Sequence, residues 1–267
     1  MRLQIATAAS NAANSAHVYG GKPDWLKIRP PTETFTELKQ LISHFGLHTV
    51  CQEAHCPNMS ECWSGGTATF MVLGDTCTRG CKFCAVKTGN PKGAVNNAEP
   101  FMLARCVREM NALNGGNSGS QKMDYIVITS VDRDDLPDQG AAHFARCIAE
   151  VKKANPGIMV EVLTPDFRGN KECIRTVVDA SPDVFDHNIE TVRRLQRKVR
   201  DARAGYEQSL AVLAAVKEMS PKIFTKSSIM LGLGETEDEV VEAMRDLRSI
   251  GVDILTLGQY LRPSSWH

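Results

Sequence analysis

Two groups of cysteines dominate the chemistry this sequence can perform. Cys77-Thr78-Arg79-Gly80-Cys81-Lys82-Phe83-Cys84 spaces three thiols as CxxxCxxC, and an upstream run places Cys51, Cys56 and Cys62 as CxxxxCxxxxxC. Six of the nine cysteines therefore fall between Cys51 and Cys84. In a reducing compartment such a crowd of thiols reads as metal ligands before it reads as disulfides. Zinc in a closed structural site takes four protein ligands, which the Cys77 trio alone does not supply. Three thiolates suit a [4Fe-4S] cube, in which each holds one iron and the fourth iron stays open to another ligand. Taken alone, the Cys51 trio leaves zinc open, with His55 as the fourth ligand. Cys106, Cys147 and Cys173 lie in helical runs and read as small buried hydrophobes. His44, His48, His143 and His187 need no metal, and His187 can simply hydrogen-bond a strand end.

Short β-branched runs alternating with helical runs must carry these groups. Strands are expected at 69–74, 124–130, 158–163, 183–188, 223–232 and 253–258. The helices between them show apolar faces: Phe144, Ile148 and Val151; Leu210, Leu213 and Ala214; and Val240, Met244 and Leu247. Thr236 and Glu239 form a capping box that starts the last of these. Ahead of the cysteines, Leu38, Leu41, Ile42 and Phe45 recur at helical spacing until Gly46 stops the helix. Six strands in such an alternation give an α/β fold, either an open doubly wound sheet or a partial barrel, and both place their chemistry at the carboxyl ends of the strands. The 1–23 segment reads as a flexible tail, and the polar 113–121 run as a surface loop.

Composition narrows the function classes. The chain has 267 residues with 31 basic and 31 acidic side chains, a formal charge of zero that argues against a globally basic nucleic-acid binder. No apolar run approaches a membrane span, and no signal-peptide core follows a basic start, so a cytoplasmic protein is expected, with mitochondrial or plastid residence as the second reading. The basic run from Arg193 to Arg200 reads first as a solvated helix face and second as a dock for an acidic partner. Gly232-Leu233-Gly234-Glu235 lacks the rest of a phosphate-binding fingerprint and reads as a turn closing the fifth strand.

CxxxCxxC just after the first strand is the motif of the radical S-adenosylmethionine (SAM) enzymes, which the sequence resembles at this point. With the second trio beside it, the sequence resembles the lipoyl synthases. The likeness extends through Gly66-Thr67-Ala68-Thr69-Phe70-Met71, Thr129-Ser130-Val131-Asp132-Arg133-Asp134-Asp135-Leu136, Glu161-Val162-Leu163-Thr164-Pro165-Asp166-Phe167, His187-Asn188-Ile189-Glu190-Thr191, Thr225-Lys226-Ser227, Gly232-Leu233-Gly234-Glu235-Thr236 and Gly258-Gln259-Tyr260-Leu261. The resemblance implies a partial (β/α)6 TIM-like barrel over 67–267 and a cysteine-rich N-terminal extension over 24–66.

It also implies a sulfurtransferase with two [4Fe-4S] clusters and SAM as cofactors. Cys77, Cys81 and Cys84 would hold the cluster that cleaves SAM to a 5′-deoxyadenosyl radical. Cys51, Cys56 and Cys62 would hold the cluster that donates sulfur to carbons six and eight of a protein-bound octanoyl-lysine. For SAM, the candidates are the backbone of Phe83 and the side chains of Thr129, Ser130, Glu161, Asn188 and Glu190, Glu161 having a buried structural carboxylate as its alternative. The implied partners are an octanoylated lipoyl carrier domain or H-protein and a one-electron donor such as ferredoxin or flavodoxin, with no nucleic acid and no membrane. Another sulfur-inserting or tRNA-modifying radical SAM enzyme is the alternative within enzymes, and a zinc-binding structural module outside them.

One departure is visible. The family continues past Gly-Gln-Tyr-Leu and carries, near its end, an Arg-Ser-Ser-aromatic motif whose serine ligates the donor cluster. Arg262-Pro263-Ser264-Ser265-Trp266 directly follows Gly258-Gln259-Tyr260-Leu261, at the exit of the sixth strand, so the serine role is not carried onto Ser264 or Ser265. The expectation is a chain lacking that segment, with a truncated inactive form as the alternative.

Overall fold

The computed structural model describes residues 30–54, 56–65, 67–116, 124–265 and 267. The 1–23 tail, His55 and most of the expected 113–121 loop lie outside them. Six strands form the body: β1 (Thr69–Val72), β2 (Tyr125–Ser130), β3 (Met159–Leu163), β4 (Val184–Asp186), β5 (Phe224–Leu231) and β6 (Ile254–Gln259). Each pairs in parallel with the next in chain order. A doubly wound sheet reverses its strand order at a switch point. This sheet never does, so each right-handed crossover lays its helix on the same face and the sheet curls around its own interior. Among the described residues the two sheet edges do not hydrogen-bond to each other, which makes the barrel partial.

Helix α1 (Glu33–His44) precedes the barrel, and α2 (Glu99–Gly116), α3 (Ala141–Ala154), α4 (Lys171–Asp179), α5 (Tyr206–Met219) and α6 (Glu237–Ser249) cover its outside. Consecutive helices from α2 to α5 pack side by side. Strand alternation sorts the core from the lumen: Ile126, Ile128, Val160 and Val162 are buried with Phe144, Ile148, Val151, Ile174 and Val177 of the covering helices. The residues between them, Thr129, Glu161 and Leu163, face inward. Cys106, Cys147 and Cys173 are buried in the same core, as expected of small hydrophobes. No helix among the described residues is long and apolar enough to cross a membrane.

Three local expectations need correction. β1 stops at Val72, two residues early, because Leu73 and Gly74 turn into left-handed backbone (φ 69° and 91°). On α6 the capping box is present, with Thr236 N–H donating to Glu239 at 2.8 Å and Glu239 N–H to Thr236 Oγ1 at 3.3 Å. Its buried stripe nevertheless runs through Ala243 and Leu247, which leaves Met244 exposed at 42%, because a stripe of that period reaches 243 and 247 but rotates past 244. Residues 114–116 continue α2, where a helix already propagating adds one backbone bond per residue.

The cysteine-rich extension shares the barrel's core. His48–Thr49 pairs antiparallel with Phe70 and Met71 of β1. Trp63, in the short helix Met59–Ser64, is fully buried with Leu38 and Ile42 of α1, and its ring lies 5.2 Å from that of Phe35. Truncating a buried tryptophan removes a large apolar area and leaves a cavity. Trp63→Ala is therefore expected to lower stability by about 3–5 kcal/mol in urea unfolding, and a loss below about 1 kcal/mol would contradict a shared core.

Candidate active site

The segment after β1 folds back on itself. Thr76–Cys77 pairs in parallel with Lys87–Thr88, and Gly89 N–H donates to the Cys77 carbonyl at 2.9 Å, so the two ends of the CxxxCxxC loop lie side by side. Backbone amides point at the sulfurs: Arg79 N–H reaches Cys77 Sγ at 3.4 Å and Asp201 N–H reaches Cys81 Sγ at 3.3 Å. The Val86 amide serves Cys84 in the same way. The Cys77 thiol in turn lies 3.8 Å from Asp132 Oδ2. Burial, with the charge of Asp132 behind it, pushes Cys77 up to about 12. Burial pushes Cys81 up to about 11 and raises Cys84 as well. Thiols in this state stay protonated at neutral pH until a strong cation beside them favours the thiolate.

Arg79, inside the motif, anchors the loop to the barrel. Its guanidinium is buried and holds Asp134 through Nε and Nη2 at 2.9 Å each, Asp166 through Nη1 and Nη2 at 2.7 and 2.8 Å, and Asp132 at 3.3 Å. Burial would raise Asp134 and Asp166, but the hydrogen bonds and charge of Arg79 hold both below the usual carboxylate range. Asp132 is the exception: burial outweighs Arg79 and lifts it to about 6.

A cavity of about 460 Å³ opens at the carboxyl ends of the strands. All three sulfur-bearing residues of the loop line it, with Phe83, Thr129, Ser130, Asn188 and Glu190. Ser130 Oγ and Asn188 Oδ1 are buried there without a hydrogen-bond partner. Unpaired buried polar atoms are costly and rare, so two of them facing one cavity mark a surface shaped for a polar ligand. Thr129 Oγ1 is partly committed, donating to the Leu163 carbonyl at 3.0 Å. Glu190 sits in left-handed backbone (φ 65°) with its carboxyl raised by burial and hydrogen-bonded to Asn188.

Glu161 is not among the lining residues. It lies two residues before the end of β3, one inward layer below Leu163, which does line the cavity. There it accepts from Tyr125 and pairs with Lys226 at 2.7 Å, the buried structural role that was its alternative. Arg79, Asp132, Asp166 and Arg200 line the cavity without having been singled out as site residues. Arg200 ends the basic run read as a surface face, yet it is buried and donates to Ser209 Oγ at 2.8 Å. Two more cations of that run are paired, Arg193 with Glu207 and Asp246 and Arg194 with Glu239, while Arg197 and Lys198 are exposed. The 232–235 segment is a turn, its amides at Gly232 and Leu233 donating to the Glu235 carboxylate.

The upstream trio forms a second group. Cys51 lies in the helical turn Val50–Glu53, Cys56 N–H donates to the Cys51 carbonyl at 3.0 Å, and Cys62 follows in Met59–Ser64. Burial raises the Cys62 thiol, and nearby Cys51 and Cys56 raise it further. Val50 and Ala54, flanking Cys51, line the cavity that the first trio opens into, whereas the second trio's own side chains do not. Among the described residues no three His, Cys, Asp or Glu side chains converge as a single ion such as zinc would require. Ser264 does not approach the upstream trio through any hydrogen bond, its hydroxyl meeting His267 Nδ1 at 2.7 Å.

The radical SAM superfamily model matches residues 71–247. A lipoyl synthase of Thermus thermophilus is 54% identical over 268 residues, spanning 100% of this chain and 80% of the relative. One of Anaeromyxobacter dehalogenans is 58% identical over 92% of this chain and 80% of its own length. The chain belongs to the lipoyl synthase family. Among solved structures, a methylornithine synthase shares the fold, with a TM-score of 0.54 at 13% identity over 85% of this chain and 64% of that one. As a lipoyl synthase family member the chain is a sulfur-inserting radical SAM enzyme with [4Fe-4S] clusters and SAM as cofactors. Its cavity fits that cofactor set, with three half-buried thiols served by amides and two unpaired buried polar atoms facing the same space.

His187 gives the site a pH signature. It is buried, its Nδ1 at 2.9 Å from the Thr164 carbonyl and its Nε2 at 2.9 Å from Ser209 Oγ, and burial lowers it to about 4. The unfolded chain binds a proton near pH 6.5, the folded one only near 4, so the stability held by neutral His187 is full above about 6.5 and drains away as pH falls. Between about pH 7 and 4 the unaltered chain should lose about 3 kcal/mol more than His187→Gln. Urea titrations across that range test it, and parallel curves for the two proteins would refute it.

Proposed function

We propose that Cys77, Cys81 and Cys84 hold a [4Fe-4S] cluster whose open iron takes the amino and carboxylate groups of SAM, while Cys51, Cys56 and Cys62 hold a second, sulfur-donating cluster. On this reading the 24–66 extension carries the donor cluster and the 67–267 barrel carries the radical chemistry. The substrate is an octanoyl chain on a lysine of a lipoyl carrier domain or H-protein, and the product carries sulfur on carbons six and eight. A ferredoxin or flavodoxin supplies single electrons. Bacterial relatives support residence in the cytoplasm.

The observation that carries this reading is the shared cavity: the first trio lines it, and the helical turn of Cys51 closes one wall through Val50 and Ala54. An octanoyl carbon has no acidic proton and no leaving group, so neither general-base nor nucleophilic catalysis can open its C–H bonds. Bound cluster and SAM supply the missing radical chemistry, and the protein's task is binding, orientation and exclusion of water. Ser130 and Asn188 offer their unpaired oxygens to the polar groups of SAM, and Glu190, buried beside Asn188, accepts from its hydroxyls or amine. Phe83 contributes its backbone between two cysteine ligands, and Thr129 keeps spare acceptor capacity beside Ser130. Met71, Ala85 and Val86 give the same cavity an apolar wall suited to an acyl chain.

Two measurements test the division of labour. Cys77→Ala should lose about four irons and all SAM cleavage. Cys51→Ala should also lose about four irons yet still cleave SAM with no gain of sulfur by an octanoylated carrier peptide in mass spectrometry. Sulfur insertion by the Cys51→Ala protein would overturn the donor assignment. Asn188→Ala, by removing one buried hydrogen bond to ligand, should weaken SAM binding about tenfold by calorimetry, and unchanged affinity would remove it from the site.

A further inference from the structure

The 73–93 segment carries all three cysteines of the first trio, and one pair of side chains ties both of its ends. Arg133, only 1% exposed, donates from Nη1 to the Leu73 carbonyl at 3.0 Å. Its Nε and Nη2 grip Asp135 at 2.8 and 2.9 Å, and Asp135 Oδ2 accepts from Gly93 N–H at 2.8 Å. Leu73 is held from its other side as well: its N–H donates to Glu99 Oε2 at 2.8 Å, and that same oxygen lies 2.6 Å from His143 Nε2. Leu73 has φ 69°, a left-handed conformation that a side chain with a Cβ resists. Such strain persists only where the surroundings over-determine it. Here both backbone polar groups of the strained residue end on buried charged partners, which is the strongest neutral-to-ion hydrogen bonding a backbone can receive.

We propose that Arg133 and Asp135, with Glu99 and His143, are positioning residues that hold Leu73 left-handed and staple residues 73 and 93 together, setting the spacing of Cys77, Cys81 and Cys84. The proposal rests on the reading that these cysteines ligate one cluster. Arg133 is too deeply buried to reach SAM or substrate, so it acts on the reaction only through the loop. Glycine adopts the left-handed region without cost, so a chain with Leu73→Gly needs the staple less. That dependence separates positioning from mere packing, since a packing defect at Arg133 would be indifferent to the residue at 73.

The full chain, with and without reconstituted clusters, provides the test. In the cluster-free protein Arg133→Gln, by taking the charged donor from the Leu73 carbonyl, should loosen the turn and speed exchange of the Leu73 amide, which itself bonds Glu99, about tenfold. In the reconstituted protein it should speed chelator-driven bleaching of the iron absorbance to a similar degree and move the midpoint potential of the SAM-binding cluster. Leu73→Gly also removes a buried core side chain and so sets its own baseline; against that baseline, adding Arg133→Gln should change the bleaching rate and the potential far less than it does in the chain that keeps Leu73. Asp135→Ala, at a largely buried carboxylate, provides the second variant should Arg133→Gln not fold: it should free the Gly93 amide and speed bleaching while leaving the Leu73 amide protected. An Arg133→Gln effect as large in the Leu73→Gly background as in the chain that keeps Leu73, or bleaching unchanged in both the Arg133 and Asp135 variants, overturns the proposal. Failure of the functional reading looks different, because the amide exchange of the cluster-free chain is independent of any cluster.

Discussion

One buried guanidinium holds the site together. Arg79 belongs to the CxxxCxxC loop, while its carboxylate partners Asp132 and Asp134 follow β2 and Asp166 follows β3. The loop that carries the thiols is thereby locked to the barrel mouth by charge, in a place where water cannot screen it. Removing one member of such a buried group strands the others, which is far more damaging than the group's net contribution to stability would suggest. Two of the three carboxylates are driven well into their ionised form and the third is not, so the aspartates share one cation unequally. Asp132, the one with its affinity for protons raised, is also the one beside the Cys77 sulfur.

The sheet supplies the frame for that lock. Sequential parallel order with helices on one face leaves the inner face free to narrow into a lumen, which opens at the strand ends into the cavity. The lumen has layers. Tyr125, Glu161 and Lys226 hold one another at its lower level, with Asp186 3.5 Å from Lys226 and its Oδ1 buried without a partner, and Leu163, Thr129 and Ser228 open onto the cavity above. This layering explains why an acidic residue in a recognised motif can be structural while an unpaired serine on the neighbouring strand faces the cavity.

Much of this was legible in the residues. The six strands announced themselves because each is a β-branched run bounded by turn residues, and the two trios because spacing is a local property. Glu161 was ambiguous for a physical reason: alternation reveals that a side chain faces inward, not how deep its layer lies. Arg200 and Arg79 were missed because a charged residue near other charged residues reads as solvated, and burial arises from segments distant in the chain, as when Arg79 meets Asp166. The left-handed turn at Leu73 carried no signal at all, since leucine disfavours it and the partners that impose it, Glu99 and Arg133, are set by tertiary contact. The Met244 misplacement had a simpler origin, a stripe rotated by one residue on α6.

The pairing of Thr76–Cys77 with Lys87–Thr88 has a thermodynamic corollary. The loop's ends are joined by backbone bonds, and its sulfurs receive amides, through contacts that belong to the polypeptide itself. Iron held by these thiols would therefore meet a cup already moulded and spend little of its binding free energy on organising the chain, unlike small zinc modules that fold only around their ion. Starvation for iron should then leave a population of intact, idle barrels awaiting metal instead of a pool of unfolded chains bound for proteolysis.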